Sequence, residues 1–454
     1  LNKDTNGQLI NDELLTTVNL PKVNLSAGQT KNFEVTFNAP TVVAPGAYYL
    51  IAEVDPDNAI AETNENNNIQ AKLVSEDGTN VVLDWNAVLL NAIQNSSAFP
   101  SDVVPFAYGT PPPLGARDAA IVHIAIYDAV NALDRSHDSY YVNIDPSNNL
   151  ISGLLEGSSK NQLVAEKAAA VQAAYKTLSA LFPQQQATFD AQRTKSLAEI
   201  PDGLAEQKGI TLGNYVAQQI LQSRSNDGSA TAQSPAYAVP PSPGVWRPTD
   251  GTPALLPHWG DVTPFVIPSS TTFRPAGFPA LTSAQYAADF NEVKALGSKN
   301  STVRTQYQTD TALFWLLDRP DSFRAPGQWD IVAETVAQQK QTSLADSARL
   351  FALLNIAEAD AGITAWETKY TYNEWRPQTA IQKADTDGNP DTVADPNWQP
   401  LTSSPPFPDY ISGHATFSAA AAGVLAYFYG DNTTFSLTSQ DLPGVIRTYG
   451  SFSE

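Results

Sequence analysis

The hydrophobic period of this chain changes near residue 80, and that change sets what it can fold into. Up to about Val74, apolar and polar residues alternate in short runs broken by turn signals, as over 14–20, 31–38 and the tyrosine-bearing 47–54. Successive side chains of a strand point to opposite faces, so regular short runs of this kind predict an all-β, immunoglobulin-like sandwich. From Leu83 onward the apolar positions recur at helical spacing in alanine-rich runs, for example Ile121, Ile124 and Val130. Helices are expected over 116–133, 160–181, 184–197, 204–223, 283–296, 304–317, 329–339, 344–370 and 418–429. Between 230 and 279 lies a proline-rich stretch with Trp246, Trp259 and Phe265, too aromatic for a linker, which reads as an ordered loop packed over the helices. The expected fold is therefore multidomain: an N-terminal all-β sandwich over 1–77, a linker over 78–84, and a mainly α-helical bundle over 85–454.

Charge narrows the partners. Formal net charge is −21, and so acidic a surface repels nucleic acid and anionic membranes. No apolar run reaches the roughly 18 residues of a membrane-spanning helix. An anion site here has to be a local positive pocket in a negative field, so basic residues close in sequence are the place to look. Cysteine is absent, which excludes disulfides, thiolate metal sites and cysteine nucleophiles. The four histidines, His123, His137, His258 and His414, form no close metal-ligand pair. Methionine is absent too; protection from an oxidant and chance composition both account for it. With no initiator methionine or signal segment at Leu1 and no tail at Glu454, the chain is expected to be an internal piece of a longer protein.

Two segments carry chemistry. In Lys369-Tyr370-Thr371-Tyr372-Asn373-Glu374-Trp375-Arg376-Pro377, Pro377 is expected to end a long helix and to hold Arg376 extended. Lys369 and Arg376 can then point into one pocket; alternatively they are ordinary cations favoured by the helix dipole. In Phe407-Pro408-Asp409-Tyr410-Ile411-Ser412-Gly413-His414, Ser412 and Gly413 sit where a loop turns into a helix. Free backbone N–H groups there favour an oxyanion, Gly413 permits close approach, and His414 can move a proton. The plainer reading is Ser412 as an N-cap beside a satisfied histidine.

Taken together, these motifs resemble the vanadium-dependent haloperoxidase and phosphatidic acid phosphatase type 2 superfamily, whose first motif is Lys, six residues, Arg-Pro and whose second ends in Ser-Gly-His. The stretch from Asp385 to Phe417 is similar to the secreted bacterial branch, and the resemblance runs over about 85–454, including 117–133 and 304–315. It implies that Lys369, Arg376, Ser412 and the Gly413 N–H bind the oxygens of vanadate, or of phosphate in a phosphatase, with His414 as the acid-base residue. The implied substrates are hydrogen peroxide and a halide, or a phosphate ester. One departure stands out. The family's third motif supplies another arginine and the histidine that ligates vanadium, whereas after His414 this sequence has no histidine and only Arg447, in an unmatched context. That motif is expected beyond Glu454, and the chain alone is expected to be inactive or weak. Ile411, where a proline is common, is expected to be tolerated. Ahead of the helices, the pattern Val54-Asp55-Pro56-Asp57-Asn58 followed by Glu62-Thr63-Asn64-Glu65-Asn66-Asn67-Asn68 resembles the last two-thirds of a CARDB module, which implies adhesion or spacing.

Other residues offer less. The loop Asp385–Asp391 has oxygens at alternating positions, as in a calcium loop, but lacks the distal glutamate and reads first as an Asp/Gly turn. His123 reads as a core histidine, His137 and His258 as loop residues. Glu358 and Asp360 either counterbalance the basic pocket or face solvent. Three functions follow: an extracellular vanadate-dependent haloperoxidase, a soluble acid phosphatase on the same scaffold, and a noncatalytic adhesion or surface protein. The resemblance also leaves a homodimer open.

Overall fold

The structure is a computed structural model in which residues 47–53, 69–75, 80–96, 109–152, 154 and 159–454 are described. The chain divides after residue 78 into two units. In the first, β1 (Ala47–Glu53) and β2 (Ile69–Ser75) pair antiparallel, Ala47 opposite Ser75 and Glu53 opposite Ile69. The other expected strands, 14–20 and 31–38, and the acidic turn segments between 54 and 68 lie outside the described residues.

The second unit begins with α1 (Val81–Gln94), inside the stretch 78–84 expected to be linker. That expectation fails for a physical reason. Asn80 caps the helix by accepting from the Val82 N–H, its amide donates to Ser347 Oγ at 2.9 Å, and Val81, Val82, Leu83 and Trp85 are all buried. An apolar run with a cap in front of it is a helix start.

The hub is α2 (Pro112–Asp134), buried on nearly every side. It packs against α3 (Ser159–Leu181) and α9 (Leu344–Tyr372). Helix α4 (Gln186–Ala198) follows, and α5 (Leu204–Ser223) returns along α3. The α3–α5 approach is close because both faces are small: a Cβ on Gly209 or Gly213 would run into the Ala165 or Ala169 carbonyl. α6 (Ala284–Leu296) starts on the Ser283 cap. α7 (Gln306–Phe314) is shorter than the expected 304–317, because Thr305 and Gln308 form a capping box at one end and Leu317 takes a left-handed φ of 40° beyond the other. α8 (Arg324–Gln339) starts earlier than expected, since Pro326 in the first turn has no helical N–H to lose.

Helix α9 also ends differently from the sequence reading. It stops at Tyr372 on Asn373, which is left-handed at φ 55°, and not at Pro377. Pro377 instead opens a short helix, α10 (Pro377–Gln382), as a first-turn proline. Arg376 is extended as expected, φ −73° and ψ 152°. α11 (Gly413–Tyr429) packs on α9 and α8, and an unforeseen hairpin, β3 (Phe435–Thr438) with β4 (Ile446–Tyr449), follows.

The proline-rich stretch is indeed packed: Trp246, Trp259 and Phe265 are buried. Asp360 holds it to α9, accepting from the backbone N–H groups of Phe265, Val266 and Ile267 at 2.6, 2.9 and 3.0 Å. Asp360 thus neither faces solvent nor balances the basic pocket. Nor does Glu358, which is fully buried with both carboxyl oxygens unpartnered and Asp330 of α8 nearby.

Candidate active site

Four local choices in the chain converge on one cavity. The last turns of α9 carry Trp366 and Lys369; the turn between α9 and α10 carries Glu374 and Arg376. The segment 405–412 crosses in front, and the first turn of α11 closes one side. The cavity has a volume of about 230 Å³, and Lys369, Arg376, Ser412, Gly413 and His414 all line it. Residues 36 to 45 positions apart in the two motifs are thereby brought together, as the joint pattern implied.

Lys369 is 1% exposed. Its Nζ donates to the carbonyls of Pro408 at 3.1 Å and Asp409 at 2.7 Å and lies 5.1 Å from the Phe407 ring centre. Burial, then the neighbouring Arg376, push its pKa well below the usual lysine range. Arg376 donates from Nε to the Phe407 carbonyl and from Nη1 to Asp409 Oδ1, both at 2.8 Å. Its guanidinium stands 4.7 Å over the Phe407 ring. Both cations therefore grip the 407–409 segment, and burial lowers the Arg376 pKa as well.

Ser412 is an N-cap in fact: its Oγ accepts from the Ala415 N–H at 3.2 Å. Capping uses only the oxygen's lone pair and leaves the hydroxyl proton to donate elsewhere. Gly413 is the first helical residue, so its N–H has no partner within the helix. His414 Nε2 lies 2.7 Å from the Leu316 carbonyl, which can only accept. That contact makes Nε2 a donor and leaves Nδ1 without a hydrogen-bond partner among the described residues.

Several lining residues were not singled out in the sequence. Trp366 is one turn before Lys369 on the same helix face, a spacing that would have found it. Phe407, Asp409 and Glu374 sit inside the two motifs. Asp318 comes from the loop after α7, with no local signal to connect it. It accepts from Arg324 Nη1 at 3.2 Å; burial raises its pKa, while Arg324, His414 and Arg376 pull it down. Burial, and then Asp409, push Glu374 up to about 8 against the smaller opposing pull of Lys369 and Arg376.

The remaining candidates lie elsewhere. His123 is a core histidine, stacked on Phe351 with Nε2 3.1 Å from Asn86 Oδ1, and burial drives its pKa to about 3. His258 Nε2 lies 3.0 Å from the Pro235 carbonyl, and His137 bonds Ser136. Arg447 stands over the Tyr307 and Phe314 rings and does not line the cavity. In the Asp385–Asp391 loop, buried Asp387 accepts from the Asn389 N–H and the Thr392 hydroxyl, both at 2.7 Å, so its carboxylate closes the turn. Among the described residues no group of three or more His, Cys, Asp or Glu side chains is placed to hold a metal ion. Nor is any helix among them long and apolar enough to cross a membrane.

Residues 349–448 match the family model described as the VCPO second helical-bundle domain. The resemblance is to the vanadium-dependent haloperoxidases. That matched range spans α9 to β4 and so contains both motifs. The vanadium chloroperoxidase of Curvularia inaequalis is 28% identical, over 82% of this chain and 71% of that protein. A solved bacterial vanadium-dependent iodoperoxidase superposes with a TM-score of 0.64 at 24% identity, covering 84% of this chain and 88% of that one. A bacterial vanadium-dependent chloroperoxidase in its apo form does so with a TM-score of 0.56 at 16% identity, covering 81% and 89%. At those identities the structural likeness shows the haloperoxidase-type helical fold. Residues 4–72 match the CARDB family model.

Proposed function

We propose that the protein is a vanadate-dependent haloperoxidase working outside the cell, in which Lys369, Arg376, Ser412 and the Gly413 N–H hold the oxyanion and His414 moves the proton. The observation that carries this reading is the convergence of all five on one cavity of about 230 Å³. Their chemistry suits a tetrahedral oxyanion: two cations offset its charge, while a hydroxyl and a backbone N–H fix its orientation. Lys369 spends two of its three N–H donors on Pro408 and Asp409, so one remains for a ligand.

Vanadate, when bound, supplies a Lewis acid that activates hydrogen peroxide toward halide. The chain's own part is electrostatic and protonic. Trp366 and Phe407 wall one side of the cavity with apolar surface, which strengthens the charge interactions of the buried Lys369, while Ser412 and His414 stand at its exposed side. Asp409, bonded to Arg376, orients the guanidinium. His414, steadied through Nε2 by the Leu316 carbonyl, presents Nδ1 as the atom that accepts or returns a proton. No histidine follows His414 in this sequence, so no residue of it is assigned as the direct ligand to vanadium. The CARDB-type segment reads as an immunoglobulin-like sandwich over 1–77, serving adhesion or spacing, and it is the basis for the extracellular setting.

Two assays on the natural protein separate this reading from its runner-up. Peroxide-driven bromination of a phenol dye that requires vanadate supports the haloperoxidase. Hydrolysis of a phosphate ester without bromination replaces it with an acid phosphatase, and neither activity leaves the noncatalytic surface protein.

A further inference from the structure

With every carboxyl group ionised, the charges around the cavity would not favour an anion. Its lining has two cations, Lys369 and Arg376, but three carboxyl groups, Asp318, Glu374 and Asp409. Two of the three are spoken for: Asp409 pairs with Arg376 at 2.8 Å and Asp318 with Arg324 at 3.2 Å. Glu374 is different. Among the described residues no hydrogen bond or ion pair holds its carboxyl, which is half-buried and lines the space an oxyanion would enter. Its backbone is fixed, since its carbonyl accepts from the Asp409 N–H at 3.0 Å, so the side chain cannot leave by moving the turn.

We propose that the cavity binds its oxyanion only with Glu374 protonated, so that anion uptake becomes proton-coupled once the pH is high enough to ionise that carboxyl. The inference rests on the oxyanion reading above and adds a condition to it. A carboxylate at this position faces the entering anion at close range in a low-dielectric pocket, whereas a carboxylic acid presents an O–H that can donate to it. The surroundings favour the acid. From the 405–412 segment come Asp409 and Tyr410, from α6 Asp289 and Tyr286, and against them stand Lys369 of α9 and Arg376 before α10. Asp318 and His414 line the same cavity from other elements. Burial and Asp409 outweigh the two cations, which is why the carboxyl titrates at about 8.

Molybdate is the probe, because it is a tetrahedral dianion whose own charge does not change around neutral and mildly alkaline pH. Below about pH 7 the wild type and Glu374→Gln should bind it equally. One pH unit above the Glu374 pKa, the wild type should bind about tenfold more weakly than Glu374→Gln, since only a tenth of its sites are then protonated. Glu374 raises the Lys369 pKa, so its loss in Glu374→Gln lowers that pKa further; any lysine contribution then weakens the variant at high pH, opposite in sign to the expected result. Calorimetry in buffers of different ionisation heat gives a second readout: the protons taken up per molybdate by the wild type should exceed those taken up by Glu374→Gln by an amount that climbs toward one across the same range. Wild-type and Glu374→Gln affinities that stay in constant ratio with pH, or proton uptake equal in the two proteins, would overturn the inference and leave the oxyanion site standing. Absence of molybdate binding by both proteins at every pH overturns the inference and the oxyanion reading together.

Discussion

Replacing Asp330 by asparagine isolates what it costs this protein to bury an acid in its helical core. Asp330 lies on α8, 1% exposed, and accepts a hydrogen bond from Asn355 Nδ2 of α9 at 2.8 Å. Burial, with Glu334 one turn along adding to it, pushes its pKa from 3.8 to about 7. The folded state therefore prefers the neutral acid. Below the unfolded pKa both states are neutral and nothing is lost. As pH rises from about 4 toward 7 the unfolded chain ionises freely while the folded one resists. Stability then falls by about 1.36 kcal/mol per pH unit, or about 4 kcal/mol over the whole shift. Asp330→Asn keeps an acceptor for Asn355 and offers its new N–H groups to Glu358, whose carboxyl oxygens are unpartnered. The variant should match the wild type near pH 4 and exceed it by about 4 kcal/mol near pH 8. Guanidinium unfolding at the two pH values measures this, followed by tryptophan fluorescence. All 8 tryptophans lie at or after Trp85, so the signal reports the helical unit alone. A stability difference that is the same at both pH values would refute the reasoning.

Two further substitutions test the packing. Gly213→Ala places a methyl against the Ala169 carbonyl and should push α5 off α3, costing about 1–3 kcal/mol in thermal or denaturant unfolding; an unchanged midpoint would show that the helices are not that close. Asp360→Ala leaves the N–H groups of Phe265, Val266 and Ile267 without their acceptor, at about 1–3 kcal/mol for each one that stays buried. Limited proteolysis should then cut near Phe265 while the wild type resists, and equal resistance would argue against Asp360 as the tie.

Much of the helical unit was legible because its signals are local. The spacing of Ile121, Ile124 and Val130 marks a helix, which proves buried on nearly every side, and capping residues such as Ser283 and Ser343 mark the starts of α6 and α9. Two boundary errors fall at prolines: Pro377 was read as the stop of a long helix, whereas it opens α10 and the real end of α9 is set by Asn373, and α8 begins before the expected 329 with Pro326 in its first turn. The candidate site was readable in Lys369, Arg376, Ser412, Gly413 and His414 because the two short motifs, each open to a plainer reading alone, together resemble one family pattern. Asp318 was not, since it reaches the cavity only through the tertiary path of the loop after α7 and its pairing with Arg324. Glu358 and Asp360 were misjudged because alternation along α9 does not say which face meets another helix and which meets a loop. Glu374 was overlooked between two better-known positions, although a lone carboxyl between a lysine and an arginine is itself a signal.

The most direct test of the central claim is a vanadate titration of the natural protein and of Lys369→Ala, read as vanadate-dependent bromination in the presence of hydrogen peroxide. Saturable, vanadate-dependent turnover in the wild type, lost in Lys369→Ala and also in His414→Ala, is the predicted result. Bromination that ignores vanadate, or that survives loss of Lys369 undiminished, would contradict the assignment of this cavity as the oxyanion site.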